Sequence, residues 1–377
     1  MKYIVPEAEH GRVNNLKDTC FKYNGWPSVC RDDRGVLYAV ASSMRMAHVD
    51  PTGKNCMYIS FNEGKTWTPP IVVNDSYADD RDMGIVYLGN GKMVISWFTE
   101  APEDYMEPIQ SYDWFPAPDK AIAGGFTNAW KALPEDVYKS CNAAFVKVSE
   151  DYGVTWTDPI RVPVTAPHGP SLCADGTLVY MGKEMNPDYL APNPILVYSS
   201  HDGGYNWEYT GTVQPGEGCT NENMHEPHVI ELPNGRLLGA IRVHGLIGDS
   251  TECAETVYTT FSDDKGKTWS DPVPTGVEGL PPHLMVHSSG AVILSYGCRV
   301  NGKRAERALV SYDNGETWTE DYMLNDKLDF FCDMGYPCTV ELSDGGLMTV
   351  YYQKWPGEWW TSVLYTKWRL GDNTENN

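Results

Sequence analysis

Short runs in which apolar and polar residues alternate, broken by glycine-containing turns, recur along the whole chain and predict paired β-strands. The clearest is NENMHEPHVIELPNGRLLGAIRVH, residues 221–244. Val229, Ile230 and Leu232 lead into the turn Pro233-Asn234-Gly235, and Leu237, Leu238, Ala240 and Ile241 return from it. Such a hairpin sets Glu226, at the mouth of one strand, beside Arg242 at the end of the other. Similar pairs read VCRDDRGVLYAVAS, GIVYLGNGKMVISW, SLCADGTLVYMG, LMVHSSGAVILSY and CTVELSDGGLMTVYY.

A second pattern is laid over the first. SFNEGKTW (60–67), SEDYGVTW (149–156), SHDGGYNW (200–207), SDDKGKTW (262–269) and SYDNGETW (311–318) share Ser-x-Asp/Asn-x-Gly-x-Thr/Asn-Trp. In each, the Asp or Asn is placed to cap amides of its own turn, and Gly supplies a left-handed residue. The Trp then packs the turn against the sheet. The repeating unit is therefore four strands with the box between the third and fourth. Six such units predict an all-β, six-bladed propeller spanning residues 1–377 as one domain. The last unit lacks a fourth strand, and the N-terminal KYIV is expected to supply it and close the ring.

Composition narrows the function classes. Hydrophobic residues make up 41% and charged residues 21%, as in a globular protein, and 13 Trp, 23 Tyr, 35 Gly and 26 Pro suit short strands joined by turns. No apolar run reaches membrane-spanning length, and MKYIVPEAEHG has no signal-peptide core, so a cytoplasmic chain is expected. A formal charge of −22 argues against nucleic acid as a partner, although an arginine cluster can still reverse the field within one cleft. Ten cysteines without C-x-x-C spacing read as reduced thiols. HEPH at 225–228 does not converge two imidazoles on a metal, and no cofactor is implied.

Propeller topology directs the search for a site. First strands start, and second strands end, around the central opening of one face, while the boxes fall on the other. Strand starts offer Trp26, Arg81 with Asp82, His168, Glu226 with His228, His283 and Tyr336. Strand ends offer Arg45, Asp50, Trp97, Lys183, Glu184, Arg242, His244, Arg299 and Gln353. Ionisable groups are dense at positions where packing would favour apolar residues, which marks a candidate site.

Boxes and site residues together resemble the sialidases (neuraminidases). That family carries a Glu at the start of the fourth blade and an Arg sixteen residues later, as Glu226 and Arg242 stand here. Arg299 in SYGCR matches its next Arg, and Tyr336 in GYPC matches its nucleophile. The resemblance implies an acid/base Asp in the loop after the second strand of blade one, where Asp50 lies; Asp82 is the alternative. It also implies a first-blade Arg in an Arg-Ile-Pro segment, but this chain has Gly25-Trp26-Pro27. Arg45 or Arg81 would then have to complete the carboxylate clamp. Trp26, His168 and His228 are expected to line the pocket.

The implied activity is that of a retaining exo-α-sialidase acting on a sialylated or other acidic glycan. A hydrolase or lyase of another acidic sugar, such as a uronic acid, and a catalytically silent glycan-binding propeller are the alternatives. The segment from 100 to 140 is expected on the active face as a lid or wall, or as a packed insertion or oligomer contact.

Overall fold

A computed structural model of the chain describes residues 1–50, 52–100, 132–185, 193–245, 255–327 and 333–371, with isolated positions between 121 and 129. Six sheets follow one another around an axis, each built on a meander in which consecutive strands pair antiparallel, with the two N-terminal strands added to the last two. Their innermost strands are Tyr23–Arg31, Asp79–Gly89, Ser171–Leu172, Met224–Glu231, Leu280–Val286 and Gly335–Glu341. This is the expected six-bladed propeller.

All five boxes join third to fourth strands, and their side chains act as the composition of the motif demands. The Ser hydroxyl accepts the amide of the box Gly at 2.8–2.9 Å in every copy, from Ser60–Gly64 to Ser311–Gly315. The Asp or Asn oxygen accepts the amide of the Thr or Asn four residues on. In three copies the indole N–H of Trp156, Trp207 or Trp269 returns to the carbonyl of the box Gly. In those three copies the turn satisfies its own polar groups, whereas the buried Trp67 Nε1 has no hydrogen-bond partner among the described residues; the Trp rings pack on the blades.

The apolar residues of neighbouring blades face each other, so the core is a ring of inter-blade layers. Blades six and one meet through Val29, Leu37, Tyr58, Met348 and Val350; blades three and four meet through Met181, Val197, Val229 and Ile241. The ring closes differently from expectation. Lys2–Ile4 runs parallel to Glu320–Asn325 as a fifth strand of blade five, and Glu9–Arg12 pairs with Thr361–Trp368 to complete blade six. The N-terminus therefore staples the last two blades together. An outermost strand is mostly wet, so EHGR needs no apolar stripe, and KYIV attracted the prediction through the apolar Ile4, which packs into the layer between blades five and six. Gly11 permits the closure: a Cβ there would lie 2.4 Å from the Tyr365 ring.

One layer below the opening, three imidazoles from consecutive blades plug the axis. His228 and His283 stack at 4.6 Å between centroids, and His168 stands edge-on to both. His228 Nδ1 accepts the Leu284 amide at 3.0 Å, His283 Nδ1 accepts the Thr339 amide at 3.3 Å, and His168 Nδ1 meets the Ser28 hydroxyl at 3.1 Å. A cavity of about 360 Å³ lies against this plug and runs toward Arg31, Glu231 and Glu341 near the hairpin turns of the box-bearing face. Burial holds all three rings neutral, with His228 lowered to about 3.

Two stability outcomes follow. Gly11→Val should cost about 1–3 kcal/mol through overpacking, seen as a lower urea midpoint. The histidines bind protons in the unfolded chain below about pH 6.5 but not in the fold, so their contribution is complete above that pH and lost as pH falls toward 3. Each proton contributes a slope of up to about 1.4 kcal/mol per pH unit. Urea midpoints of His283→Asn, which can keep an acceptor for the Thr339 amide, should therefore fall less steeply between pH 6.5 and 4 than those of the parent.

Candidate active site

The inner strands do not enter the opening as regular strands. Pairing slips between Gly25 and Ser28, Arg81 and Gly84, His225 and His228, Leu280 and His283, and Gly335 and Cys338. Four of these bulges hold a non-glycine residue at positive φ: Trp26 (52°), Asp82 (54°), Glu226 (43°) and Tyr336 (55°). Large side chains rarely occupy that region, and each instance costs on the order of 1–3 kcal/mol. Pro27, Pro227 and Pro337 follow three of them, so the next residue has no amide to leave unpaired where the ladder breaks. The bulge turns Asp82, Glu226 and Tyr336, from blades two, four and six, toward one another.

Tyr336 donates its phenolic proton to Glu226 Oε1 at 2.6 Å. The other oxygen of Glu226 accepts from Arg242 Nη1, and Arg242 Nη2 reaches Glu255 Oε1 at 2.5 Å. The acid and base at the hairpin mouth are thus one ion pair, braced from behind by a second acid and from across the ring by a phenol. Burial would raise the Glu226 pKa, but the Arg242 charge and the bonds from Tyr336 and Arg242 bring it down to about 2. Burial, with the charges of Glu226 and Asp82, drives the Tyr336 phenol well above its ordinary value of 10.0. The resting site holds a neutral phenol facing an ionised carboxylate. Arg299 stands beside this set, its Nε donating to the Met334 carbonyl at 2.9 Å and its Nη2 to the Tyr352 hydroxyl at 3.2 Å.

Asp82 is buried, and its Oδ1 has no hydrogen-bond partner among the described residues. Burial raises its pKa to about 7; Arg81 opposes the shift and the Glu226 charge adds to it. Arg81 lies over the Trp26 ring at 4.4 Å. Trp26 is only 1% exposed and packs edge-on to Tyr336 at 6.4 Å, so it is a wall behind the phenol and not an exposed platform.

Three expectations change. Asp50 does not face the opening: its carboxylate accepts the amides of Met46 and Thr52 and the Thr52 hydroxyl, closing its own loop, and it is 0% exposed. Arg45 is equally committed. It forms a two-pronged pair with Asp79 at 2.5 and 2.8 Å and donates to the Ala47 and His48 carbonyls. His168 and His228 lie in the axial plug and not on the pocket wall; for His228 the bulge between His225 and His228 moves the following residues one layer down. The aromatic residues between 100 and 131 that were expected to form a lid lie outside the described residues.

Several groups escaped the sequence reading. Glu255 and Tyr352, the partners of Arg242 and Arg299, stand at strand positions where alternation alone leaves the facing side open. Asp333 lies three residues before Tyr336, accepts the Tyr23 hydroxyl at 2.9 Å and pairs with His48 Nδ1 at 3.1 Å. Nothing in the sequence joins residues 310 and 285 positions apart. Glu306 is fully buried, and neither of its oxygens meets hydrogen-bond geometry among the described residues; burial raises its pKa well above the ordinary carboxyl value, with Arg299 opposing.

Comparison with known proteins places the chain. A solved protein of unknown function from Dyadobacter fermentans superimposes with a TM-score of 0.74 at 20% identity, over 97% of this chain and 100% of its own. The intramolecular trans-sialidase of Ruminococcus gnavus gives 0.67 at 16% identity, over 95% and 97%. A leech intramolecular trans-sialidase gives 0.67 at 15%, over 96% of this chain and 70% of that one. At such identities the likeness is one of fold. No curated protein matches the chain by sequence. The BNR repeat-like domain matches residues 130–345, more than half of the chain. Five boxes, six blades and that match together make the protein a member of the BNR repeat-like family, built on the sialidase propeller.

Proposed function

We propose that this protein is a retaining exo-glycosidase that releases terminal sialic acid, or a closely related keto sugar acid, through Tyr336. The observation that carries the reading is the buried chain Tyr336–Glu226–Arg242, assembled from blades six and four at the mouth of the axis.

The chemistry follows from charge. In a keto sugar acid the carboxylate is attached to the anomeric carbon, so a carboxylate nucleophile would meet like charge, whereas a phenol approaches neutral. The phenol needs a base, and Glu226 is already hydrogen-bonded to it. At rest Glu226 is a weak base because Arg242 holds its charge. A bound substrate carboxylate draws on Arg242 and Arg299 through charge-assisted bonds and loosens that hold. Glu226 then gains basicity at the moment the substrate is in place.

As the phenolic oxygen bonds to the anomeric carbon, the phenolic proton passes to Glu226 and the bond to the departing oxygen breaks. Asp82 supplies the proton that oxygen needs. Its pKa of about 7 keeps much of it protonated at neutrality, partly because Glu226 is charged. Neutralising Glu226 makes Asp82 the stronger acid, so filling the base releases the acid. In the second step ionised Asp82 takes a proton from water, the water oxygen displaces the tyrosyl oxygen, and Glu226 returns the proton to Tyr336.

Liberation of free sugar from an aryl sialoside and from a glycan-linked sialoside tests the reading. Wild type inactive on every sialoside, or active only on a uronic-acid glycan, overturns it. Asp82→Asn should lose about 10²- to 10⁴-fold on an alkyl-linked sialoside, much less on an aryl one, and should lose the decline of activity as pH rises through about 7. Tyr336→Phe should form no covalent adduct with a fluorinated sialoside in intact-mass measurement, while still binding a planar sialic-acid analogue.

A further inference from the structure

Backbone strain at the opening is not shared evenly. Of Trp26, Asp82, Glu226 and Tyr336, only Tyr336 follows another residue at positive φ, Gly335 at 120°. Two such residues in a row need an outside hold. Blade five supplies it. Arg299 Nε donates to the Met334 carbonyl at 2.9 Å. A Cβ on Gly297 would lie 2.9 Å from the Gly335 Cα and 3.5 Å from Glu306 Oε2, so only glycine lets the two backbones come this close. Glu306 stands opposite Gly297 on the neighbouring strand, Ala305–Ser311. The Gly335 amide is directed at the Glu306 carboxyl and favours its ionised form, while stopping short of hydrogen-bond geometry.

We propose that Glu306 is a positioning residue for the nucleophile. Its carboxyl receives the Gly335 amide while Arg299 holds the Met334 carbonyl, so one peptide unit is gripped at both ends and Tyr336 is aimed at Glu226. The inference rests on the reading of Tyr336 as the nucleophile. Met334 C=O and Gly335 N–H belong to the same planar unit, which sets the direction in which the chain enters Tyr336. An amide dipole aimed at a buried oxygen is held electrostatically even beyond hydrogen-bond distance, because little around it screens the attraction. Glu306 acts through that peptide; the phenol's own bond is to Glu226, at 2.6 Å.

Stability alone does not account for this side chain. Among the described residues Glu306 is the one carboxyl with both oxygens sealed from solvent and neither in hydrogen-bond geometry. Other buried acids are engaged: Asp79 by Arg45, Asp80 by Asn74, Ser76 and Thr99, and Glu255 by Arg242. A carboxyl without partners costs its desolvation, and an apolar side chain of similar shape in its place is neutral or stabilising. Burial keeps Glu306 protonated, its pKa well above the ordinary carboxyl value. What it offers Gly335 is therefore a carbonyl oxygen, which an amide side chain reproduces.

Two substitutions in the full chain test this: Glu306→Met, which removes the acceptor, and Glu306→Gln, which keeps a carbonyl oxygen. The readouts are the rate at which a fluorinated sialoside labels Tyr336, the Kd of a planar sialic-acid analogue, and the urea midpoint. Glu306→Met should be labelled about 10²-fold more slowly, the loss expected when a reactive group is misplaced by about 1 Å. Its Kd for the analogue should match the parent's, and its urea midpoint should be no lower. Glu306→Gln should restore the parent's labelling rate. Labelling of Glu306→Met at the parent's rate, equal slowing of Glu306→Gln, or a lowered midpoint of Glu306→Met overturns the proposal and leaves the glycosidase reading intact. A parent that is never labelled overturns that reading instead. The crystal structure of Glu306→Met then decides the positioning role, which stands if Tyr336 leaves Glu226 and falls if their bond persists.

Discussion

Everything at this opening depends on a backbone distortion that the sheets hold in place. A regular inner strand would send alternate side chains into the two neighbouring inter-blade layers, and none of them squarely into the axis. The bulge breaks that alternation in five of the six blades, and in four of them it leaves a non-glycine residue in the left-handed region, where a Tyr or Trp sits only if its surroundings force it. The force is available because the strands on either side are locked by apolar layers from two blades. Strain at the mouth and cohesion between the blades are two aspects of one arrangement. The same slip explains why Glu226 faces the opening while His228, two residues later, is sealed in the plug.

Charge compensation in the resting site is nearly complete. Arg242 has Glu226 and Glu255, and Arg45 has Asp79. Buried pairs of this kind seldom repay their desolvation in stability, since charges removed from water must regain its solvation from each other. Their value is that a ligand's charge can enter and shift partners among groups already in position. Arg242 is the pivot, because a carboxylate that takes part of its hydrogen bonding changes the basicity of Glu226 and, through that charge, the acidity of Asp82.

The legible parts of the molecule are those governed by local or periodic rules. The boxes were readable because their hydrogen bonds span four residues, and the hairpins because each turn announces itself. Strand position placed Tyr336, Glu226, Arg242 and Arg299 among many ionisable groups at the opening, and the resemblance to the sialidases singled them out; the fold sets Tyr336, Glu226 and Arg242 in one hydrogen-bonded chain. Asp50 failed because its loop could close on its own carboxylate, and a sequence does not say which way an acid in a loop turns. Closure by EHGR failed because an outer strand leaves no hydrophobic trace. His48 and Asp333 could not be paired in advance, since only the closed ring brings the first and sixth blades together.

The acidic balance of the chain bears on how an anionic sugar could enter at all. A net charge of −22 repels an anion at long range, yet salt confines that field to about 8–10 Å. The cations at the opening lie within that distance of a ligand at the mouth, while many acidic side chains, such as Asp151, Asp264 and Asp313, are spent in box turns on the far face. Topology thus separates acids that stabilise turns from the arginines gathered at the opening. The structural acids of the repeat and the arginines of the mouth coexist because the four-stranded unit puts them at opposite ends of each blade.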